Sequence, residues 1–142
     1  KNKKIILPKD IFCSKSIEKS VDGKIKHFNS LSPNDYGVDI GYDSIAKLEQ
    51  VIKISKTIFW NGPFGIFEIK EFSNSTKKLV EFLKSSNAKK IAGGGDSVMA
   101  INKFRAGKYF DFISTGGGAS LEFIAKNTLP YIELLKKRFE NY

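Results

Sequence analysis

The chain has 142 residues, 41% of them hydrophobic, which suits one globular domain able to bury a core of its own. Its net charge of +9, from 24 basic against 15 acidic residues, favours an anionic partner, yet only Arg105 and Arg138 carry the planar fork that reads guanine edges, so sequence-specific DNA recognition is disfavoured. Cys13 and His27 each stand alone, which excludes an intrachain disulfide, a cysteine metal cluster and a multi-histidine metal centre, fits a reducing compartment and leaves His27 as an ordinary strand or surface residue.

In chain order, the first β-like run is 4–7, and because the chain opens directly into Ile5-Ile6-Leu7 without Met, it reads as starting inside a larger protein. Residues 12–41 are less regular: Gly23, Ser32-Pro33-Asn34-Asp35 and Gly37 predict a hairpin, with a β-like run at 25–28, and a long loop. From 43 to 55, Ile45, Leu48, Val51 and Ile52 share one helical face, with Asp43 or Ser44 as the N-cap. A strand-like run at 57–60 precedes a helix over 74–85, in which Leu79, Val80, Phe82 and Leu83 are apolar.

Further strand-like runs at 90–92 and 110–114 lead into helices over 96–104 and 119–125. Both helices begin just after glycine runs, where Asp96 and Ser120 offer capping oxygens. Pro130 suits the first turn of a last helix, whose apolar face of Ile132, Leu135, Phe139 and Tyr142 is expected to pack on the sheet. No apolar stretch approaches the ~20 residues that span a bilayer, so no membrane partner is expected. From residue 43 the alternation of helix and strand predicts an α/β fold: a partial doubly wound, Rossmann-like parallel sheet with helices on both faces.

Three glycine-rich turns fall where strands give way to helices, on the edge of such a sheet where ligands bind. Trp60-Asn61-Gly62-Pro63-Phe64-Gly65-Ile66-Phe67-Glu68 is a rigid, irregular loop whose apolar side chains could flank a base and whose Glu68 could accept from ribose hydroxyls, although Asn61 could equally just hold the turn. Gly93-Gly94-Gly95-Asp96-Ser97 sets a carboxylate and a hydroxyl at a helix start. Asp96 can hold Mg²⁺ beside phosphate oxygens that Ser97 and nearby N–H groups bind, or it can simply cap the helix. Ser114-Thr115-Gly116-Gly117-Gly118-Ala119-Ser120 has no acidic residue and suits an anion without a metal. None is a Walker loop, since no Gly-Lys-Ser/Thr follows.

In order and spacing these three motifs, with Gly37-Val38-Asp39-Ile40-Gly41 and Ile6-Leu7-Pro8, resemble the signatures of phosphoglycerate kinase over essentially the whole chain. The resemblance implies that residues 1–142 are the later part of the carboxyl-terminal, nucleotide-binding domain. The amino-terminal substrate domain and the start of the nucleotide domain are then absent. It also implies reversible phosphoryl transfer between 1,3-bisphosphoglycerate and ADP, giving 3-phosphoglycerate and ATP, in glycolysis and in the cytoplasm, with Mg²⁺ accompanying ATP or ADP.

Carried over by position, Gly37 and Val38 border adenine, Asn61, Pro63, Gly65 and Ile66 surround the nucleotide, and Glu68 meets ribose. Gly94, Gly95, Asp96 and Ser97 contact phosphates with Asp96 as the metal ligand, while Gly95, Gly117 and Gly118 stabilise the phosphoryl group in flight. Ser97 stands where threonine is usual, Phe112 where histidine is common and Lys126 where glycine is common, and Phe64 is bulky for its variable position. The phosphoglycerate would be met through the absent domain, the full-length enzyme is expected as a monomer, and the fragment alone is expected to be inactive. Two alternatives stand beside this one: a non-catalytic nucleotide-binding module that needs a partner chain, and a lysine-driven nucleic-acid binder supported only by the charge.

Overall fold

The computed structural model describes residues 4–18 and 23–139. Its elements are β1 (Asp10–Ser14), β2 (Lys24–His27), β3 (Tyr36–Ile40), α1 (Tyr42–Ile54), β4 (Thr57–Asn61), α2 (Asn74–Ser85), β5 (Lys89–Gly93), α3 (Gly95–Lys103), β6 (Phe112–Ser114), α4 (Gly117–Lys126) and α5 (Pro130–Phe139). The strands β4, β5 and β6 form a parallel sheet in that order. Each pair is joined through a helix, because a parallel neighbour can be reached only by a crossover. The α/β architecture expected from the alternation is therefore present.

Side chains alternate across this sheet. On one face Trp60 and Ala92, neighbours in register, lie in one continuous core with Ile52 of α1, Leu79, Val80 and Leu83 of α2, and Ala100 and Ile101 of α3. Ile52, Leu79, Val80 and Leu83 are among the residues that the helical periodicity singled out, and Leu48 and Phe82 pack against this core. On the other face Phe59, Ile91 and Phe112, also adjacent in register, share a cleft of about 500 Å³ with Ala119, Ser120 and Phe123 of α4. Helices thus lie on both faces.

The first third of the chain departs in part from the sequence expectation. The expected hairpin is present as β1 and β2, with the run at 25–28 realised as Lys24–His27. Where a long loop was expected, β3 joins it to form a second, antiparallel sheet in the order β2-β1-β3, with Ile11 opposite Ile40 and Cys13 opposite Lys24. Neither β1 nor β3 carries the apolar alternation that marks a half-buried strand. β1 buries Asp10 and Ser14 at its ends, and β3 contains Gly37 and the buried Asp39. Partners from elsewhere in the chain, rather than local propensity, make them strands.

Residues 4–7, expected as a strand, begin in a turn and then have no regular structure or ladder among the described residues, and Ile5, Ile6 and Leu7 are exposed. The strand expected at 110–114 is only Phe112–Ser114, because the Phe110 N–H donates to the carbonyl of Gly107 in a short 3-10 turn. α5 begins at Pro130 as expected, yet none of its described residues is buried, so it does not pack into the sheet, and Tyr142 lies outside the described residues. His27 is an exposed residue of β2, as anticipated.

The start of α1 is also built differently. Its N-cap is Gly41, which has no side-chain oxygen to offer, while Asp43 and Ser44 lie inside the first turn. The cap comes from Asp10 on β1: its carboxylate accepts from the N–H groups of Asp43 at 3.0 Å and Ser44 at 2.9 Å, and from the Ser44 hydroxyl at 2.5 Å. A residue 33 positions upstream thus satisfies two of the helix's orphan donors and locks α1 onto the antiparallel sheet. Burial pushes the Asp10 carboxyl up, but the hydrogen bonds from Ser44 and Asp43 outweigh it and hold the group below its ordinary value.

Two predictions follow from this cap. Asp10→Ala should destabilise the chain by ~1–2 kcal/mol, read from urea unfolding at neutral pH. Because the folded-state value is depressed, the stabilisation is present above the unfolded value of ~4 and is lost as pH falls through the folded one. The stability gap between the natural chain and Asp10→Asn should therefore narrow below about pH 4, and a gap constant down to pH 2 would contradict the assignment.

Candidate functional site

The strands β4, β5 and β6 end side by side at Asn61, Gly93 and Ser114, which are partners in register. Their turns are drawn together by hydrogen bonds. The N–H of Gly62 donates to the Ser97 hydroxyl at 2.7 Å, that of Gly94 to the carbonyl of Ser114 at 3.0 Å, and that of Gly116 to the Ser114 hydroxyl at 3.1 Å. Gly94 has φ +96°, a conformation that side chains rarely tolerate. A Cβ there would sit 3.0 Å from Asn61 Oδ1 and 3.5 Å from the Cα of Gly117, so the two helix starts meet backbone to backbone.

The caps differ from expectation. Gly94 and Gly116 are the N-caps of α3 and α4, and neither helix receives a side-chain cap. Asp96 falls in the first turn of α3 with its side chain in solvent and in no hydrogen bond or ion pair among the described residues, and Ser120 instead pairs its hydroxyl with that of Ser114 at 3.2 Å. Ser97 is fully buried, and its oxygen accepts from the first glycine turn. Space is open around Gly95 and Gly118, where an added Cβ would meet nothing within 4 Å. The result is a patch where two adjacent helices present uncapped N–H groups and the positive ends of their dipoles, an arrangement able to bind an anion of several charges.

A second cluster lies along the same loop. Gly65 has φ +62°, and a Cβ there would approach Asp39 Oδ1 and the carbonyl of Phe72 at 2.6 Å and that of Val38 at 2.7 Å. The N–H of Ile66 donates to the carbonyl of Val38 at 2.9 Å, so β3 and the loop after β4 run together. Val38 is buried, Ile66 and Pro63 are half-buried, and Gly37 and Glu68 are exposed. Asp39 accepts from the N–H groups of Ile40 and Ser75 and from the Ser75 hydroxyl. Burial pushes its carboxyl above the ordinary value against those bonds.

The predicted residues thus fall into two groups. Asn61, Gly94, Ser97 and Gly117 surround the junction of the turns, Gly95, Asp96 and Gly118 open from it, and Gly37, Val38, Gly65 and Ile66 gather at β3. The loop from Gly62 to Glu68 runs between the groups and is held by residues that no motif marked. The Thr76 hydroxyl accepts from the N–H of Phe64 at 2.9 Å and donates to its carbonyl at 2.6 Å, and Lys103 Nζ donates to the carbonyls of Phe67 and Glu68. The Lys103 and Asp39 partners lie about three dozen residues away, beyond the reach of local spacing rules. Among the described residues no three His, Cys, Asp or Glu side chains gather as a metal cage. The lone Asp96 carboxylate fits a cation that takes one protein oxygen and completes its shell from a phosphorylated ligand and water.

No helix among the described residues is long and apolar enough to cross a membrane. The phosphoglycerate kinase family matches residues 1–127. Curated phosphoglycerate kinases are similar: that of Wigglesworthia glossinidia brevipalpis is 46% identical over 140 residues, 99% of this chain and 35% of the relative, and that of Vibrio campbellii is 42% identical over 129 residues, 91% and 33% respectively. Solved structures agree. The phosphoglycerate kinase of Coxiella burnetii superposes with a TM-score of 0.82 at 34% identity, covering 96% of this chain and 35% of that one, and that of Pyrococcus horikoshii with 0.73 at 28% identity, covering 95% and 33%. The chain therefore spans about a third of the length of these relatives. By the family match and by this likeness of sequence and fold, the chain belongs to the phosphoglycerate kinase family.

Proposed function

We propose that the chain carries much of the Mg·ATP/ADP site of a phosphoglycerate kinase, an enzyme that moves a phosphoryl group reversibly between 1,3-bisphosphoglycerate and ADP in cytoplasmic glycolysis. The observation that carries this reading is the backbone contact of Gly94 with Gly117, which aims two uncapped helix N-termini at one open patch. The phosphates sit at Gly94, Gly95, Asp96 and the N–H of Ser97, and the Ser97 hydroxyl holds the turn. The nucleoside lies toward Gly37, Val38, Asn61, Pro63, Gly65 and Ile66, with Glu68 at the ribose.

The chemistry asked of the protein is electrostatic. Charge spread over the equatorial oxygens of the transferring group is met by the N–H groups at Gly95, Gly117 and Gly118, which are fixed beforehand by strand and helix geometry. Asp96 would hold Mg²⁺ beside the phosphates, and the chemistry the bound metal would supply there is charge neutralisation. No protein nucleophile is required. The basic substrate domain that would present the acyl phosphate lies outside the third of the enzyme represented here, and domain closure would bring the two together.

The span of one third also favours a second reading, in which the chain binds nucleotide without turnover and needs a partner chain. Calorimetry separates them. Mg·ADP binding by the chain together with turnover only in the intact enzyme supports the first, and binding with no turnover in the intact enzyme supports the second.

Asp96→Ala should weaken Mg·ADP binding about tenfold while leaving Mg²⁺-free ADP unchanged, and an unaltered Mg²⁺ dependence would remove Asp96 as the ligand. Gly94→Ala, strained by its φ and crowded by Asn61, should lower nucleotide affinity in either condition by about tenfold, measured in the same titrations.

A further inference from the structure

α3 touches the loop from Gly62 to Glu68 at both of its ends. Near its start, the Ser97 hydroxyl accepts from the N–H of Gly62 at 2.7 Å. At its last residue, Lys103 Nζ donates to the carbonyls of Phe67 at 2.7 Å and Glu68 at 2.8 Å. The two anchors are six residues apart on the helix, or ~9 Å along its axis, and the loop between them is pinned once more where Thr76 of α2 holds both backbone groups of Phe64.

The Lys103 contact is specific. An ammonium meeting two carbonyl oxygens forms charge-assisted bonds, shorter and stronger than neutral ones. The Nζ also lies 5.9 Å from the centroid of the Phe67 ring, which is itself buried in the core. Lys103 has no carboxylate partner, so these two carbonyls are what its charge serves among the described residues.

We infer that Lys103 is a positioning residue of the nucleotide site: it ties the loop that would flank the nucleoside to the helix whose N-terminus would meet the phosphates, so both parts of the ligand are read by one rigid body. This rests on the nucleotide-binding reading above. Lys103 touches no ligand in this scheme. It acts through the carbonyls of Phe67 and Glu68, setting where Ile66 and Glu68 stand relative to Gly94 and Gly95.

The test compares the chain with Lys103→Met, which keeps the stem without the charge, and with Lys103→Arg, which keeps a donor able to reach both carbonyls. Two probes divide the ligand: Mg·ADP engages both parts of the site and Mg·pyrophosphate only the phosphate part. Lys103→Met should weaken Mg·ADP about tenfold and leave Mg·pyrophosphate within about twofold, and Lys103→Arg should restore most of the loss.

Amide hydrogen exchange reads the anchor without any ligand. The Ile66 and Ile69 N–H groups should exchange at least about tenfold faster in Lys103→Met, with the Ile101 N–H in α3 unchanged. Equal losses for both probes, or exchange rising alike across α3 and the loop, would make Lys103 merely structural and overturn the inference. Unaltered exchange at Ile66 and Ile69 would overturn it too. Failure of every form, the natural chain included, to bind Mg·ADP would count against the nucleotide reading instead, and the exchange pattern would then decide for or against the anchor.

Discussion

Gly94 and Gly117 approach closely because β5 and β6 run parallel and end in register, which delivers the starts of two helices to the same place. A Cβ at Gly117 would crowd the Cα of Gly94 at 3.1 Å, and one at Gly94 would crowd Asn61 Oδ1 at 3.0 Å in a backbone conformation that side chains rarely adopt. Everything proposed about the site depends on that contact: two helix dipoles add at one patch only if their N-termini are neighbours, and backbone N–H groups can surround an anion only where no Cβ intervenes. The hydrogen bonds from Gly62 to Ser97 and from Gly94 to Ser114 hold the arrangement without using the groups that point outward.

Around this junction the molecule relies on polar side chains that serve distant backbone, of which Asp10, Asp39 and Thr76 are buried and Lys103 is exposed. Asp10 caps α1 from the antiparallel sheet, Asp39 serves the start of α2, and Thr76 and Lys103 hold the loop after β4. No described buried side-chain polar atom is left without a hydrogen-bond partner. Asp10, Asp39 and Thr76 are costly to bury unpaired and stabilising once paired, so together with Lys103 they act as selective fasteners between elements that apolar packing alone would leave free to slide. The two sheets, one parallel and one antiparallel, are joined largely through α1, α2 and these contacts.

The parallel half of the fold was legible in the sequence because its signals are local. Ile45, Leu48, Val51 and Ile52 repeat at helical spacing, as do Leu79, Val80 and Leu83, and each glycine turn marks the change from strand to helix. Of the antiparallel half only the hairpin and its run at 25–28 were, because β1 and β3 are strands by virtue of partners rather than pattern. Asp10, Ser14, Gly37 and Asp39 argue locally for turns, and only the ladder and the helix starts they serve make extended backbone the better choice. The N-caps were misjudged for a related reason. Asp43, Asp96 and Ser120 are suitable residues at suitable spacing, but glycines took the caps, and the oxygen for α1 came from a strand far upstream.

By itself the sequence determined the α/β class, the family, and the identity of the turns that gather at the strand ends, since glycine spacing and the residues after each glycine are one-dimensional properties. The tertiary structure decided which of those residues touch. It put Ser97 to work on Gly62, left Asp96 free in solvent, joined Gly94 to Gly117, and recruited Lys103 to the loop after β4 and Asp39 to the start of α2, though neither residue adjoins its target in the chain. The physical reason is one of range: backbone preference and periodicity act over a few residues, whereas the partner of a buried donor is settled by which elements pack together.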